Sequence, residues 1–273
     1  MPTTNGVITN TGEALLLDHV CGNTSMARAD KYMGLLIATP TDAGGTEVAT
    51  AGTLGYSRIN VSNGGAGAAL FGTAATRAIA TNADITFGPC ITTPWSAASY
   101  WGLFDASTAG NLLAYGDITD GSVVVGDSYK IASTALSMTF TAGTKWTDTV
   151  LNALLELLVG KTAYTMPTPF LALYNGDPLG AGAESTVAGT NGYARADFDV
   201  AMGAASGGTI TNPGVISFGP ASGSPWGLSD YYAVMTAVTA GAVMHGALLT
   251  ASKTVAVGDS AEFAASALTL TLD

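Results

Sequence analysis

Apolar and polar positions along this chain fall first into a helical period and then into a two-residue alternation, and the pattern runs through twice. Near the start, Asn10-Thr11-Gly12-Glu13 has the cap-x-x-Glu form in which a side-chain oxygen and a glutamate satisfy free backbone N–H groups reciprocally. Ala14-Leu15-Leu16-Leu17 then runs toward Gly22 as the stop. Later, Thr147 or Asp148 caps a segment whose Val150, Leu151, Leu154, Leu155 and Leu158 form one apolar stripe, and Gly160 ends it. That stripe needs a surface to cover it. Its own β-domain is the expected one, with a neighbouring subunit as the alternative.

After each helix the period shortens. First strands are predicted at Met33–Thr39 and Thr168–Tyr174, each followed by a turn-rich loop, Pro40–Thr46 and Asn175–Pro178. Further matched pairs are Tyr56–Val61 with Tyr193–Val200, Ile85–Phe87 with Val215–Phe218, Tyr100–Phe104 with Tyr231–Met235, and Leu112–Ile118 with Val243–Leu249. The last pairs, Tyr129–Ile131 with Ala261–Phe263 and Leu136–Phe140 with Leu268–Leu272, alternate so that one face is buried and the other wet. Short strands separated by Gly, Asn, Asp and Ser turns predict an all-β fold: two tandem β-sandwich domains, jelly-roll-like and antiparallel, each preceded by a short α-helix.

The strands match because the chain is a tandem duplication. Gly55-Tyr56-Ser57-Arg58, Ile85-Thr86-Phe87-Gly88-Pro89, Pro94-Trp95 and Val125-Gly126-Asp127-Ser128 return as Gly192-Tyr193-Ala194-Arg195, Ile216-Ser217-Phe218-Gly219-Pro220, Pro225-Trp226 and Val257-Gly258-Asp259-Ser260. A period this long lies outside the roughly 20–50 residues of solenoid repeats, so each copy holds its own core. The expected domains are residues 1–141 and 142–273. The linker Thr141–Lys145 is short, the loop Asn63–Ala69 carries the extra residues of the first copy, and the polar segment Met1–Asn10 reads as an arm that orders on a neighbour.

Composition narrows the classes. In 273 residues, 48% are hydrophobic and only 11% charged, yet no apolar run approaches the ~20 residues of a membrane helix. The first residues lack the basic and apolar regions of a secretory signal, so synthesis in the cytoplasm is expected. A net charge of −11 opposes binding to nucleic acid and to anionic membranes. Cys21 and Cys90 have no counterparts in the second copy and read as small buried hydrophobes rather than a disulfide pair.

Enzyme constellations are missing. His19 and His245 are the two histidines, with no metal-ligand spacing around them, and the Gly-Gly pairs lack the lysine and context of a phosphate loop. Asp127 and Asp259 read as turn residues whose side chains accept neighbouring N–H groups. Arg58 and Arg195 read as structural cations that tie a strand to an acidic loop. Asp42 with Glu47, or Asp177 with Glu184, offer too few oxygens for a Ca2+ loop, so neither metal nor cofactor is expected. Trp95 and Trp226 are placed at the open end of each sandwich, where carbohydrate stacking is the alternative to a covering role. Together with Asp42 and Asp177 they are the candidate surface contacts.

The run Thr39–Val48, then Gly55–Arg58, Ile85–Phe87, Trp101-Gly102-Leu103-Phe104-Asp105-Ala106, Gly110–Leu113 and Val125–Asp127 resembles a β-sandwich family of tailed-bacteriophage virion proteins. Members are known as tail fibre-like proteins, head fibres or capsid decoration proteins. The second copy departs from the pattern at Tyr231–Met235 and Asn175–Pro178. The resemblance implies a non-enzymatic virion structural protein, most plainly a cement or decoration subunit on the outer head that binds the major capsid protein or other virion proteins. The alternative it implies is a tail fibre or adaptor that recognises a host-surface glycan. It also implies a homo-oligomer, with a trimer as the expected state.

Overall fold

The computed structural model describes residues 4–62, 69–141 and 145–272. The expectations placed on loop residues 63–68, on linker residues 142–144 and on residues 1–3 fall outside that range. The described residues form tandem β structure with two helices and divide into two compact units.

Unit 1 comprises Met1–Leu16, Met26–Thr141 and Leu151–Tyr164. Its main sheet centres on β2 (Tyr32–Leu36), β6 (Trp95–Phe104) and β7 (Leu112–Val123), which run antiparallel. The short β3 (Ile59–Asn60) flanks β2. On the other side lies β1 (Thr4–Ile8), which pairs with strands of its own unit and so corrects, for these residues, the expectation that Met1–Asn10 is an arm ordering on a neighbour. Val7 and Ile8 pair antiparallel with Tyr115 and Ala114 of β7, while Thr4, Asn5 and Gly6 pair parallel with β9 (Leu136–Thr139). This parallel pairing departs from the all-antiparallel expectation. Gly6 is what lets β1 lie so close: a Cβ there would stand 2.3 Å from the Trp101 ring. The sheet continues from β9 to β4 (Ala78–Ala80), and β5 (Ile85–Phe87) pairs separately with β8 (Tyr129–Ile131). Alternation decides the faces, as Ile85 and Phe87 are buried and Thr86 is exposed.

Unit 2 comprises Leu17–Ser25, Ala142–Val150 and Thr165–Asp273. Here β10 (Phe170–Asn175), β15 (Leu228–Met235) and β16 (Val243–Thr254) repeat the central trio, with β11 (Ala183–Glu184) and β12 (Ala196–Asp197) on the flank of β10. The pairs β13 (Thr209–Thr211) with β18 (Thr269–Thr271), and β14 (Ile216–Phe218) with β17 (Ala261–Phe263), complete it. Where β1 runs in unit 1, Trp146 bridges His245 and Thr147 N–H donates to Met244 O at 2.9 Å, matching the Thr9-to-Leu113 bond of 2.9 Å.

The helices follow the expected residues with two corrections. In α1 (Asn10–Val20) the cap is Thr9, whose Oγ1 accepts from Gly12 N–H at 3.1 Å. Both helices end alike: Gly22 and Gly160 have φ of 84° and 70°, and the residues after them donate back to Asp18 O and Glu156 O. The second correction concerns what the apolar stripe covers. Residues 151–158 of α2 (Asp148–Leu158) are part of unit 1, not of the β structure that follows them in sequence, and Leu17–Val20 of α1 are part of unit 2. Polar contacts fix each seat. Within unit 1, Glu156 and Asn152 accept from Ala74 N–H and Arg77 N–H at 3.1 and 2.9 Å. Within unit 2, Asp18 accepts from Ala205 N–H at 2.7 Å, and Asn23 donates to Gly203 O.

Candidate functional site

The repeated motifs converge, in each unit, on one buried knot. Gly55 and Gly192 hold φ of 77° and 72°. The next residue, Tyr56 or Tyr193, turns its ring inward: Tyr56 stacks on Phe87 at 6.3 Å and meets Trp95 edge-on at 5.4 Å, and Tyr193 does the same with Phe218 and Trp226 at 6.2 and 5.1 Å. The Tyr56 hydroxyl donates to Glu47 Oε2 at 2.6 Å and accepts from Leu35 N–H at 2.9 Å. Burial and the Glu47 carboxylate both push this phenol above its ordinary range, so it stays protonated. Tyr193 is pushed up in the same way by burial and Glu184, and its oxygen accepts from Leu173 N–H at 2.9 Å.

The glutamate has a second partner. Arg58 Nη2 donates to Glu47 Oε1 at 2.8 Å, and its Nη1 reaches the carbonyls of Ala106 and Ala109 at 2.7 and 2.6 Å. Arg195 holds Glu184 at 2.9 and 2.8 Å and the carbonyls of Ala237 and Ala240. These arginines are the structural cations the sequence predicts, and Glu184 raises the Arg195 guanidinium further. The glycine–aspartate turns close the knot: Gly126 N–H donates to Cys90 O and Cys90 N–H to Asp127 O, both at 2.8 Å, with Gly258, Ala221 and Asp259 repeating the pair. It is the Asp127 carbonyl, rather than the carboxylate expected from sequence, that makes this bond. Recurrence of the motifs therefore records packing.

The four candidate contacts are not brought together. Trp95 and Trp226 are 3% and 1% exposed, and their indoles donate inward to Leu54 O and Asn191 O at 3.0 and 2.9 Å. Neither ring presents a face on which a sugar would stack, which corrects that expectation. Asp42 is exposed but occupied, accepting from Asn10 N–H and Nδ2 at 2.9 and 2.8 Å. Asp177 is exposed and accepts from Leu179 N–H at 2.9 Å within its own loop. Among the described residues no three His, Cys, Asp or Glu side chains gather as metal ligands, and no helix is long and apolar enough to cross a membrane.

The distinctive surface lies where the two copies differ. In unit 1, Tyr129 packs its ring so closely that a Cβ on Gly121 would stand 2.6 Å from it, and its hydroxyl donates to Thr119 O at 2.6 Å. The matching residue of unit 2 is Ala261, and there a groove of about 560 Å3 opens between β16 and the β17–β18 segment. Tyr232, Phe263 and Leu268 line it, with Leu248 at 63% exposure beside them. Leu248 faces Tyr231 across the sheet as Asp117 faces Tyr100 in unit 1, so an apolar residue replaces a carboxylate. The sequence held this signal only as a difference, Tyr129 against Ala261, which a search for shared motifs passes over. Unit 2 also buries His245 between Trp146 and Tyr232, at ring distances of 4.6 and 5.7 Å. Burial, then the Lys145 charge, lowers its pKa to about 3.

Residues 7–139 and residues 145–271 each match the model of one protein family, described as Podophage GP4 fiber I protein gp80. The two matches fall on the two sequence copies. Comparison with curated proteins gives no match.

Proposed function

Because the chain belongs to the Podophage GP4 fiber I protein gp80 family, a family of phage virion fibre proteins, we propose that it works without chemistry of its own, as a short decoration or head-fibre subunit on the outer surface of the capsid. The observation that carries this reading is the fate of the repeated motifs. Tyrosine, arginine, glutamate and tryptophan, the residues best suited to chemistry or recognition, are consumed in the two internal knots. What remains outside is an acidic surface on two compact units, joined within one chain. Such units stabilise a shell by binding only its assembled state, with the major capsid protein as partner and a homotrimer as the assembling species. Synthesis takes place in the host cytoplasm before assembly.

A tail fibre or adaptor is the second reading, favoured by the word fiber in the family description. Gold-labelled antibody against the chain on purified virions, with protein counts per particle, separates the two. Dense labelling of the head at a copy number that follows capsid symmetry supports decoration. Labelling restricted to the tail, at a few dozen copies or fewer, overturns it in favour of the fibre or adaptor.

A further inference from the structure

We propose that Asn175 is a self-modification site, where the chain deamidates with Asp230 as the general base. Asn175–Pro178 is a stretch where the second copy departs from the first, and neither knot uses it. Asn175 is the last residue of β10 and is exposed. Gly176 follows it with φ of 78°, so the amide that must attack carries no side chain to hinder it. Gly176 N–H donates to Asp230 Oδ1 at 2.7 Å, which puts a carboxylate within reach of the proton that has to leave. A base fixed in this way acts at an effective concentration that no dissolved buffer reaches. The first copy has none of these parts. Leu35 N–H and Leu173 N–H both donate to the knot tyrosine, which aligns Ile37-Ala38 with Asn175-Gly176. The pairs Leu36 with Tyr100 and Tyr174 with Tyr231 align Ser99 with Asp230.

The atoms balance with water as the one added reactant. Gly176 N attacks Asn175 Cγ while Asp230 takes the amide proton, a succinimide ring closes, and Asn175 Nδ2 leaves as ammonia with that proton returned to it. Water then opens the ring at either carbonyl. Opening at Cγ leaves aspartate, and opening at the backbone carbonyl carbon leaves isoaspartate, whose main chain runs through Cβ and Cγ. Two other described Asn-Gly pairs lack the arrangement. Asn5 and Gly6 lie inside β1, paired with Ser137 and Met138. Asn191 holds φ of 49° in a turn closed by Tyr193 N–H on Thr190 O, its carbonyl accepts from Trp226 Nε1 and Ser222 N–H, and a Cβ on Gly192 would meet Pro220 O. Asn63, before Gly64, falls outside the described residues. Either product adds a negative charge to unit 2, and isoaspartate lengthens the main chain where Asn175 pairs with Ala183. The chain acts here only on itself, which is consistent with a non-enzymatic role and independent of head or tail placement.

The test incubates the full chain at neutral pH and maps it by peptide mass spectrometry, with isoaspartate counted by methyltransferase labelling and released ammonia measured alongside. Asn175 should convert severalfold faster than Asn5 or Asn191, with ammonia released in proportion. Asp230→Asn keeps an oxygen for the Gly176 amide but removes the base, and it should slow Asn175 severalfold in the native chain. In urea the variant and the wild type should react alike, which separates the position of Asp230 from the intrinsic rate of the dipeptide. If Asp230→Asn melts markedly lower, Asp230→Glu keeps the charge and shifts the oxygens by one methylene, and slower conversion is again expected. Conversion of Asn5 or Asn191 ahead of Asn175, or an Asn175 that stays intact over weeks, would overturn the assignment of the site. A native rate unchanged in both variants would remove Asp230 as the base and the proposal with it.

Discussion

Gly55 lies with its α-carbon turned onto the carbonyl of Pro89, so that a Cβ added there would stand 2.0 Å from the oxygen, and Gly192 repeats this on Pro220 at 2.2 Å. Both glycines also hold positive φ. Gly55→Ala therefore pays twice, once for the left-handed backbone and once for displacing the Pro89 loop, together about 2–4 kcal/mol. Gly52 separates the two effects, since its φ of 87° is close to that of Gly55 but nothing lies within 4 Å of a Cβ. Urea unfolding should show a markedly larger loss for Gly55→Ala than for Gly52→Ala. Equal losses would mean that the Pro89 contact contributes nothing.

Arg58 is the cation on which three backbone and side-chain acceptors converge, and its side chain is 4% exposed. Removing Glu47 leaves that charge buried without its carboxylate, a loss of about 3–5 kcal/mol for Glu47→Ala. Arg58→Lys should fail to preserve the site, because a point charge cannot span a carboxylate and the carbonyls of Ala106 and Ala109 at once. Urea melts of the two variants check both statements. Near-native stability of Arg58→Lys would show that charge alone suffices.

Much of the fold was legible where alternation is strict. Ile85–Phe87, Ile216–Phe218 and Ala261–Phe263 each place a strand where apolar residues bracket a polar one. The strand predicted over Tyr56–Val61 shrinks to Ile59–Asn60, because Tyr56 and Arg58 are drawn into the side-chain knot. Strand β1 leaves no period in the sequence, since its fit comes from Gly6, whose missing side chain makes room for Trp101. The stripe on α2 announced a buried face but not its cover, for Leu151, Leu154 and Leu158 carry no information about which β structure accepts them. The tryptophans misled for a related reason: a motif repeats just as faithfully when it packs as when it binds.

The seating of the helices gives a sharper test. Asp18 accepts from Ala205 N–H and Glu156 from Ala74 N–H, matching positions of the two copies. Replacing either acid with alanine leaves a backbone donor without its partner, a loss of about 1–3 kcal/mol. Amide exchange should quicken at Ala205 in Asp18→Ala and at Ala74 in Glu156→Ala, with each effect confined to its own unit. A fragment of residues 142–273 lacks Leu17–Ser25 and so leaves unit 2 incomplete. Its melting temperature should rise when a peptide spanning residues 9–25 is added. No response to the peptide would mean that those residues contribute little to unit 2.

His245 should make the protein acid-sensitive over a defined window. Its pKa falls from 6.5 to about 3 in the folded chain, first through burial and then through the Lys145 charge, while Nδ1 finds no hydrogen-bond partner among the described residues. Above the unfolded value the ring is neutral in both states, and its contribution to stability is fully present. As pH falls below about 6.5 the unfolded chain takes up a proton that the folded chain refuses, so stability declines with a slope approaching one proton. The decline ends only when pH passes the folded value near 3. The direction follows from linkage: the unfolded state binds more protons throughout the window, so acid favours it. His245→Leu keeps an apolar side chain against Trp146 and Tyr232 and removes the titration. Urea midpoints measured between pH 7 and pH 4 should fall more steeply in the wild type than in the variant. Parallel curves would show that His245 takes its proton in the folded state as readily as in the unfolded one.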